Sequence, residues 1–261
     1  MSPALRKGAE WAPAAAVFIL VIVAWEGLTR GLGVEEFLLP PLSDILQTLR
    51  DQWSLVWSAG LFTFKEALGG YLIGAAAGIL VALVLARWRR LGRAFMPYAI
   101  AANAIPIIAF APIMNNWFGI LSPASKMAIS GVLVFFPVLV NSLRGLTSVR
   151  PGQIELMHSY AADELQIFRL VRLPSALPFI FSGLKVGTVL AMIGAIVGDY
   201  FGGSQDALGI LIRRSAGIFD FKLAWAAIVV ASIFGMLFYA AVAALERVTL
   251  RSHVVGRGAD I

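Results

Sequence analysis

ELMHSYAADELQIFRLVRLPSALP, residues 155–178, is the longest polar stretch in a very apolar chain. Segments able to cross a bilayer flank it on both sides. Its apolar residues Leu156, Tyr160, Ile167, Leu170 and Val171 recur at the spacing of an amphipathic helix. It closes on Leu173-Pro174, a step at which a helix should stop or kink. Such an insert between membrane spans is larger than a turn requires, and it reads either as a long interfacial loop or as a docking surface for a soluble partner.

The surrounding composition sets the solvent. The 261 residues are 59% hydrophobic and 14% charged, against about 25% charged in soluble domains. Apolar runs of about 20 residues favour helices over the shorter, alternating strands of a barrel. The expectation is an all-α polytopic integral membrane protein, one transmembrane domain over 1–261, with about six transmembrane helices. They fall near 11–29, 60–86, 94–114, 124–144, 176–200 and 223–246, with a cytoplasmic loop at 145–175. Arg6 and Lys7 precede the first apolar run, as in a signal peptide. That run is longer than a usual signal core and no small-residue cleavage site follows, so it reads as a retained span. Pro97, Pro106 and Pro112 interrupt the third span, and breaks at that depth need protein or a water-filled cavity beside them.

Charge gives the orientation. With the N-terminus inside, 14 of the 21 Lys and Arg residues fall on the inner side, led by Arg87, Arg89 and Arg90. This positive-inside bias puts both termini and residues 145–175 on the cytoplasmic side of the membrane. It also accounts for the net charge of +6 without a nucleic-acid partner. On the outer side, residues 38–58 read as an interfacial amphipathic helix capped by Ser43-Asp44.

Catalytic chemistry is not indicated. His158 and His253 stand apart from each other and from acidic clusters, and no phosphate-cradling Gly-x-x-x-x-Gly-Lys-Ser/Thr sequence is present. With no cysteines, disulfides and thiolate metal sites are excluded. No cofactor or metal is expected on this chain. An ion-gradient-driven secondary transporter would need an ionisable residue near mid-membrane. Glu66, beside Lys65, and Asp199 both read as lying toward the outer ends of their spans, Glu66 as an interfacial charge and Asp199 as one partner of a structural ion pair or a solute contact.

The 155–178 segment resembles the EAA loop of importer-type ABC transporter permeases. That pattern is Glu-Ala-Ala, three residues, Gly, nine residues, then Ile-x-Leu-Pro. Glu155, Leu173 and Pro174 match and Val171 replaces the isoleucine. Leu156 and Met157 stand for the two alanines, and Ala161 for the glycine of the tight turn. Residues 103–119, Leu39-Pro40-Pro41, Trp25-Glu26 and the run from Ile196 to Gly203 resemble the nitrate, sulfonate, taurine and pyrimidine-precursor branch of these permeases. The resemblance implies a homodimer working with two cytoplasmic ABC ATPase subunits and an extracytoplasmic solute-binding protein. It implies ATPase coupling through Glu155, Leu156, Tyr160, Ala161, Leu165 and Phe168. Intramembrane polar residues are pathway candidates by default, here Asn103, Asn115, Asn116, Asn141 and Asp199. Gly69, Gly70, Gly74 and Gly78 recur at three- and four-residue steps and read as close helix packing.

Overall fold

The computed structural model describes residues 3–102 and 106–255. In chain order the helices are α1 (Pro3–Gly31), α2 (Leu42–Asp51), α3 (Trp53–Arg87), α4 (Arg89–Ala102), α5 (Ile107–Phe118) and α6 (Pro123–Thr147). Then come α7 (Pro151–Ser159), α8 (Glu164–Ile167), a π-helical turn (Phe168–Arg172), α9 (Leu173–Phe201), α10 (Leu208–Gly217) and α11 (Phe221–Val255). Among the described residues four helical stretches are long and apolar enough to cross a membrane: Trp53–Arg87, Pro123–Thr147, Glu164–Phe201 and Phe221–Leu250. The chain is an all-α polytopic membrane protein. The first expected span lies within α1. The third falls on two short helices, α4 and α5, and α5 begins after Pro106, whose missing N–H suits it to the start of a helix.

Glycine sets how closely the central helices approach. Gly70, Gly74 and Gly78 of α3 form a four-residue row facing the carbonyl oxygens of Met127, Gly131 and Phe135, a matching row of α6. A methyl group at any of the three would overlap α6 backbone. Rows at i, i+4 from both helices therefore interlock at the backbone itself. From the other side α9 brings Gly183, Gly187, Gly194 and Gly198 against α6. The Ser130 hydroxyl donates to the Ala191 carbonyl at 3.0 Å across that contact.

Two apolar cores result. One centres on Val56, Tyr71, Val134, Met192, Leu208, Val230 and Phe234, joining α3, α6, α9, α10 and α11. The other, built on Ala82, Leu85, Leu139, Leu143, Leu146, Ala176 and Ile180, lies toward the α6–α7 end. At the opposite end a polar strap ties α1 and α2 to α11. Glu26 accepts from Arg30 at 2.6 Å and from the Ser43 hydroxyl at 2.7 Å, while Lys222 reaches Glu36 at 2.9 Å and Asp44 at 3.4 Å. Ser43 and Asp44 thus serve this strap rather than capping, and α2 begins at Leu42 after Pro41 with no side-chain cap.

Candidate functional site

The polar insert folds as two short helices broken at 160–163, where one continuous amphipathic helix would have run straight. α7 ends in a Schellman turn: Ala161 N–H donates to His158 O at 2.9 Å and Ala162 N–H to Met157 O at 3.0 Å. Ala161 sits at φ 55°, the left-handed region where the family pattern has glycine. The turn is therefore made with alanine, at a steric cost of about 1–2 kcal/mol. Asp163 then opens α8 with a full capping box, accepting from Gln166 N–H at 2.7 Å while Gln166 Oε1 accepts from Asp163 N–H at 2.9 Å.

The Leu173-Pro174 step does not stop the helix. Leu173 N–H donates five residues back to Phe168 O, so a π turn absorbs the hydrogen bond that Pro174 cannot make. α8 and α9 run on as one 38-residue stretch, Glu164–Phe201.

This geometry divides the segment's apolar residues. Ile167 is fully buried and Phe168 half-buried against the core near Leu139 and Ala176. Leu156, Tyr160 and Leu165 are 55%, 75% and 54% exposed. Glu155 and Ala161 are exposed as well. Leu165 and Phe168 also line a groove of about 380 Å³ with Leu83, Ala86, Arg87, Leu146, Glu164 and Arg172. Arg172 and Glu164 pair across 3.6 Å at its edge. The two inward residues hold α8 and the π turn, while α7 buries none of its residues and presents Leu156 and Tyr160 outward beside Leu165.

Asn103 lies outside the described residues, and the described asparagines, Asn115, Asn116 and Asn141, have different surroundings. Asn115 is buried, its carboxamide oxygen accepting from the Ser125 hydroxyl at 2.8 Å while its Nδ2 has no partner. Asn116, one residue on, is exposed. Asn141 is half-buried; its Nδ2 donates to Pro137 O at 2.8 Å within α6, and its Cβ faces Gly183 of α9. Beside α5 lies an apolar cleft of about 790 Å³ whose lining includes Gly74, Phe110, Met114, Trp117, Gly131 and Phe135. Asn115, Asn116 and Asn141 are not among the described residues that line it.

Asp199 belongs to a separate constellation. It is fully buried with Thr63, Glu66 and Lys126. Thr63 Oγ1 donates to Asp199 Oδ2 at 2.8 Å and accepts from Leu208 N–H at 2.9 Å. Lys126 Nζ turns away to the Ile120 and Ser122 carbonyls of the α5–α6 turn. Glu66 is therefore no interfacial charge, and Asp199 forms no ion pair with an outer-loop cation. Both lie inside the bundle because α10 folds back over the ends of α3 and α9. The sequence placed Glu66 at an interface from its neighbour Lys65, which is itself exposed. Its i, i+4 step to Gly70 was the available sign that it shares the inward face.

The molecule is a multi-pass helical bundle with an exposed pair of short helices between two spans, and the comparisons specify its family. Residues 74–251 match the binding-protein-dependent transport system inner membrane component family, and the chain belongs to it. It is 35% identical over 234 residues to the formylaminopyrimidine transport permease protein of Halalkalibacterium halodurans, covering 89% of this chain and 92% of that one. It is 31% identical over 235 residues to the riboflavin transport system permease protein of Chloroflexus aurantiacus, covering 89% and 87%. A solved inward-facing MetNI methionine ABC transporter superposes with TM-score 0.57 at 21% identity, over 74% of this chain and 93% of that one. An amino acid ABC transporter solved with histidines gives 0.58 at 17%, over 79% and 97%. At those identities the solved structures establish the fold.

Proposed function

We propose that this permease is the membrane half of an ATP-driven importer, and that a homodimer of it passes a small nutrient inward by alternating access. The solute would be a nitrate- or sulfonate-like anion or a pyrimidine- or riboflavin-type compound, the latter favoured by the two relatives above 30% identity. The observation that carries the reading is the outward apolar set Leu156, Tyr160 and Leu165. Leu165 stands on α8, where Ile167 is buried, and Leu156 and Tyr160 project from α7, which buries none of its residues, so all three are free to enter a groove on a soluble partner. Two cytoplasmic ATPase subunits would occupy the two loops of the dimer, with Glu155 as a polar anchor. An extracytoplasmic binding protein would deliver solute to the other end. Asn103, Asn116 and the α5 region would face the path between protomers.

The buried Glu66–Asp199 pair is the kind of group an ion-gradient-driven carrier would use. Exposed coupling helices have no task in such a carrier, and the family supports the ATP-driven reading.

The test is co-purification and transport in vesicles. Leu156→Asp with Tyr160→Asp should release the ATPase and abolish uptake while the permease remains folded. Full uptake by the double variant would overturn the docking role. Orientation is checked separately in this cysteine-free chain. Ser159→Cys should resist an impermeant thiol reagent applied to intact cells, and Ser54→Cys should react. The reverse pattern would invert the topology.

A further inference from the structure

α4 begins where the long α3 breaks at Trp88, and its sequence, RRLGRAFMPYAIAA, has two unlike ends. Arg89, Arg90 and Arg93 fall in its first five residues, and no charged residue follows them in the helix. Gly92 lets this basic end press onto α3, since a methyl group there would lie 2.9 Å from the Leu85 carbonyl oxygen. Beside it a groove of about 990 Å³ opens between α3, α4 and α6. Its floor is core, with Leu85 and Leu143 only 6% and 2% exposed. Met96 and Ile100 line it along α4, and Arg93 and Thr147 stand at its α6–α7 end.

Positive charge gathers at that end. Arg90 precedes Arg93 by three residues and Arg144 precedes Thr147 by three, and both arginines are exposed. Residues three apart are neighbours on a helix surface. No Asp or Glu occurs between Glu66 and Glu155, a stretch that includes all of α4, α5 and α6. Glu164 reaches this end of the bundle but pairs with Arg172 at the separate groove lined by Leu165 and Phe168. Cations in the first turn of α4 also oppose its dipole, which favours an anion there. Trp88 is 57% exposed beside them, and tryptophan settles at headgroup depth in a bilayer. α4 then runs about 10 Å from Arg93 to Ile100, carrying the apolar lining away from the charged end.

An anion site at one end and an apolar trough at the other match the two halves of a phospholipid. Any acyl chain can fill the trough and restore the contacts a void would lose. The cations select the headgroup, because a guanidinium fork fits a phosphate. We infer that this groove binds one anionic phospholipid, its phosphate held by Arg90, Arg93 and Arg144 and one acyl chain lying along Met96 and Ile100. The lipid ties α4 to α3 and α6, and makes the stability of the protein depend on the charge of the membrane around it.

Titration of the purified, detergent-solubilised protein with phosphatidylglycerol or phosphatidylcholine tests this, read by native mass spectrometry and thermal unfolding. Phosphatidylglycerol should occupy one site per chain and raise the melting temperature. Phosphatidylcholine with the same chains should do neither at the same concentration. Arg144→Gln should weaken phosphatidylglycerol about fivefold and Arg90→Gln with Arg144→Gln about 25-fold, the loss for one and two cations facing anionic lipid. Ile100→Trp fills the trough, leaves every cation in place, and should weaken binding as well. Equal binding of the two lipids would overturn the proposal, as would wild-type affinity in the double arginine variant or in Ile100→Trp. Full displacement of the lipid by inorganic phosphate would overturn it too, since the acyl chain would then contribute nothing. So would cross-linking of Ile100→Cys to a second copy in native membranes, which would show this face covered by protein.

Discussion

The Thr63 hydroxyl donates to Asp199 at 2.8 Å while accepting the Leu208 amide at 2.9 Å, so a single side chain of α3 fastens both α9 and α10. Thr63→Val has nearly the same shape but neither hydrogen bond. It leaves a buried carboxylate oxygen and a helix N-terminal N–H without partners, each costing about 1–3 kcal/mol. Thermal unfolding of the purified variant should show that loss, and Thr63→Ser should recover most of it. A Thr63→Val protein as stable as wild type would show that water satisfies both groups.

The α3–α6 contact is set at Gly74, whose missing Cβ is replaced by the Gly131 carbonyl oxygen. Because the obstacle is backbone, neither helix can yield by a rotamer change. Gly74→Ala should cost about 1–3 kcal/mol, the range for overpacking a tight core. Gly152→Ala on α7, where nothing lies within 4 Å, should be neutral or slightly stabilising. Melting temperatures of the two alanine variants in one detergent make the comparison.

The unevenness of what the sequence disclosed has physical causes. Membrane helices announce themselves through apolar length, and the glycine row of α3 through its spacing, because both are local signals. The Leu173-Pro174 step misled, since a π turn can absorb a missing N–H without ending the helix and nothing in the sequence marks that choice. Glu66 misled for a different reason. It sits where a span end should meet water, and its burial depends on α10 returning over the bundle, a contact 145 residues away along the chain for Thr63 and Leu208. Asn115 offered a polar side chain in a broken span, but its buried partner Ser125 lies across the α5–α6 turn. In the 155–178 insert, spacing grouped Ile167 with Leu156 and Tyr160 on one face, whereas the Ala161 turn divides them and leaves Ile167 buried and the other two exposed.

That turn gives a prediction with an unusual sign. Ala161 occupies the left-handed region at φ 55°, in a Schellman turn whose two hydrogen bonds are both made. Ala161→Gly removes the Cβ clash and should stabilise the folded protein by about 1 kcal/mol, net of glycine's extra freedom in the unfolded chain. Ala161→Val adds β-branching at the same φ and should destabilise α7 and weaken ATPase binding. Limited proteolysis between α7 and α8 would read both changes, slower cleavage in the glycine variant and faster in the valine variant.

Lys185 and Glu246 join α9 to α11 at 2.7 Å, with side chains 22% and 17% exposed. An ion pair this shielded contributes little net stability over an apolar replacement, yet breaking it strands the surviving charge. Glu246→Gln should therefore destabilise by about 2 kcal/mol, below the 3–5 kcal/mol of a fully buried pair because both groups retain some exposure. Lys185→Gln should cost a similar amount, and the double variant less than the sum of the two. A double-mutant cycle on unfolding free energies measures the coupling directly. Strict additivity would mean that each charge finds another partner, and that α9 and α11 are held together there by packing alone.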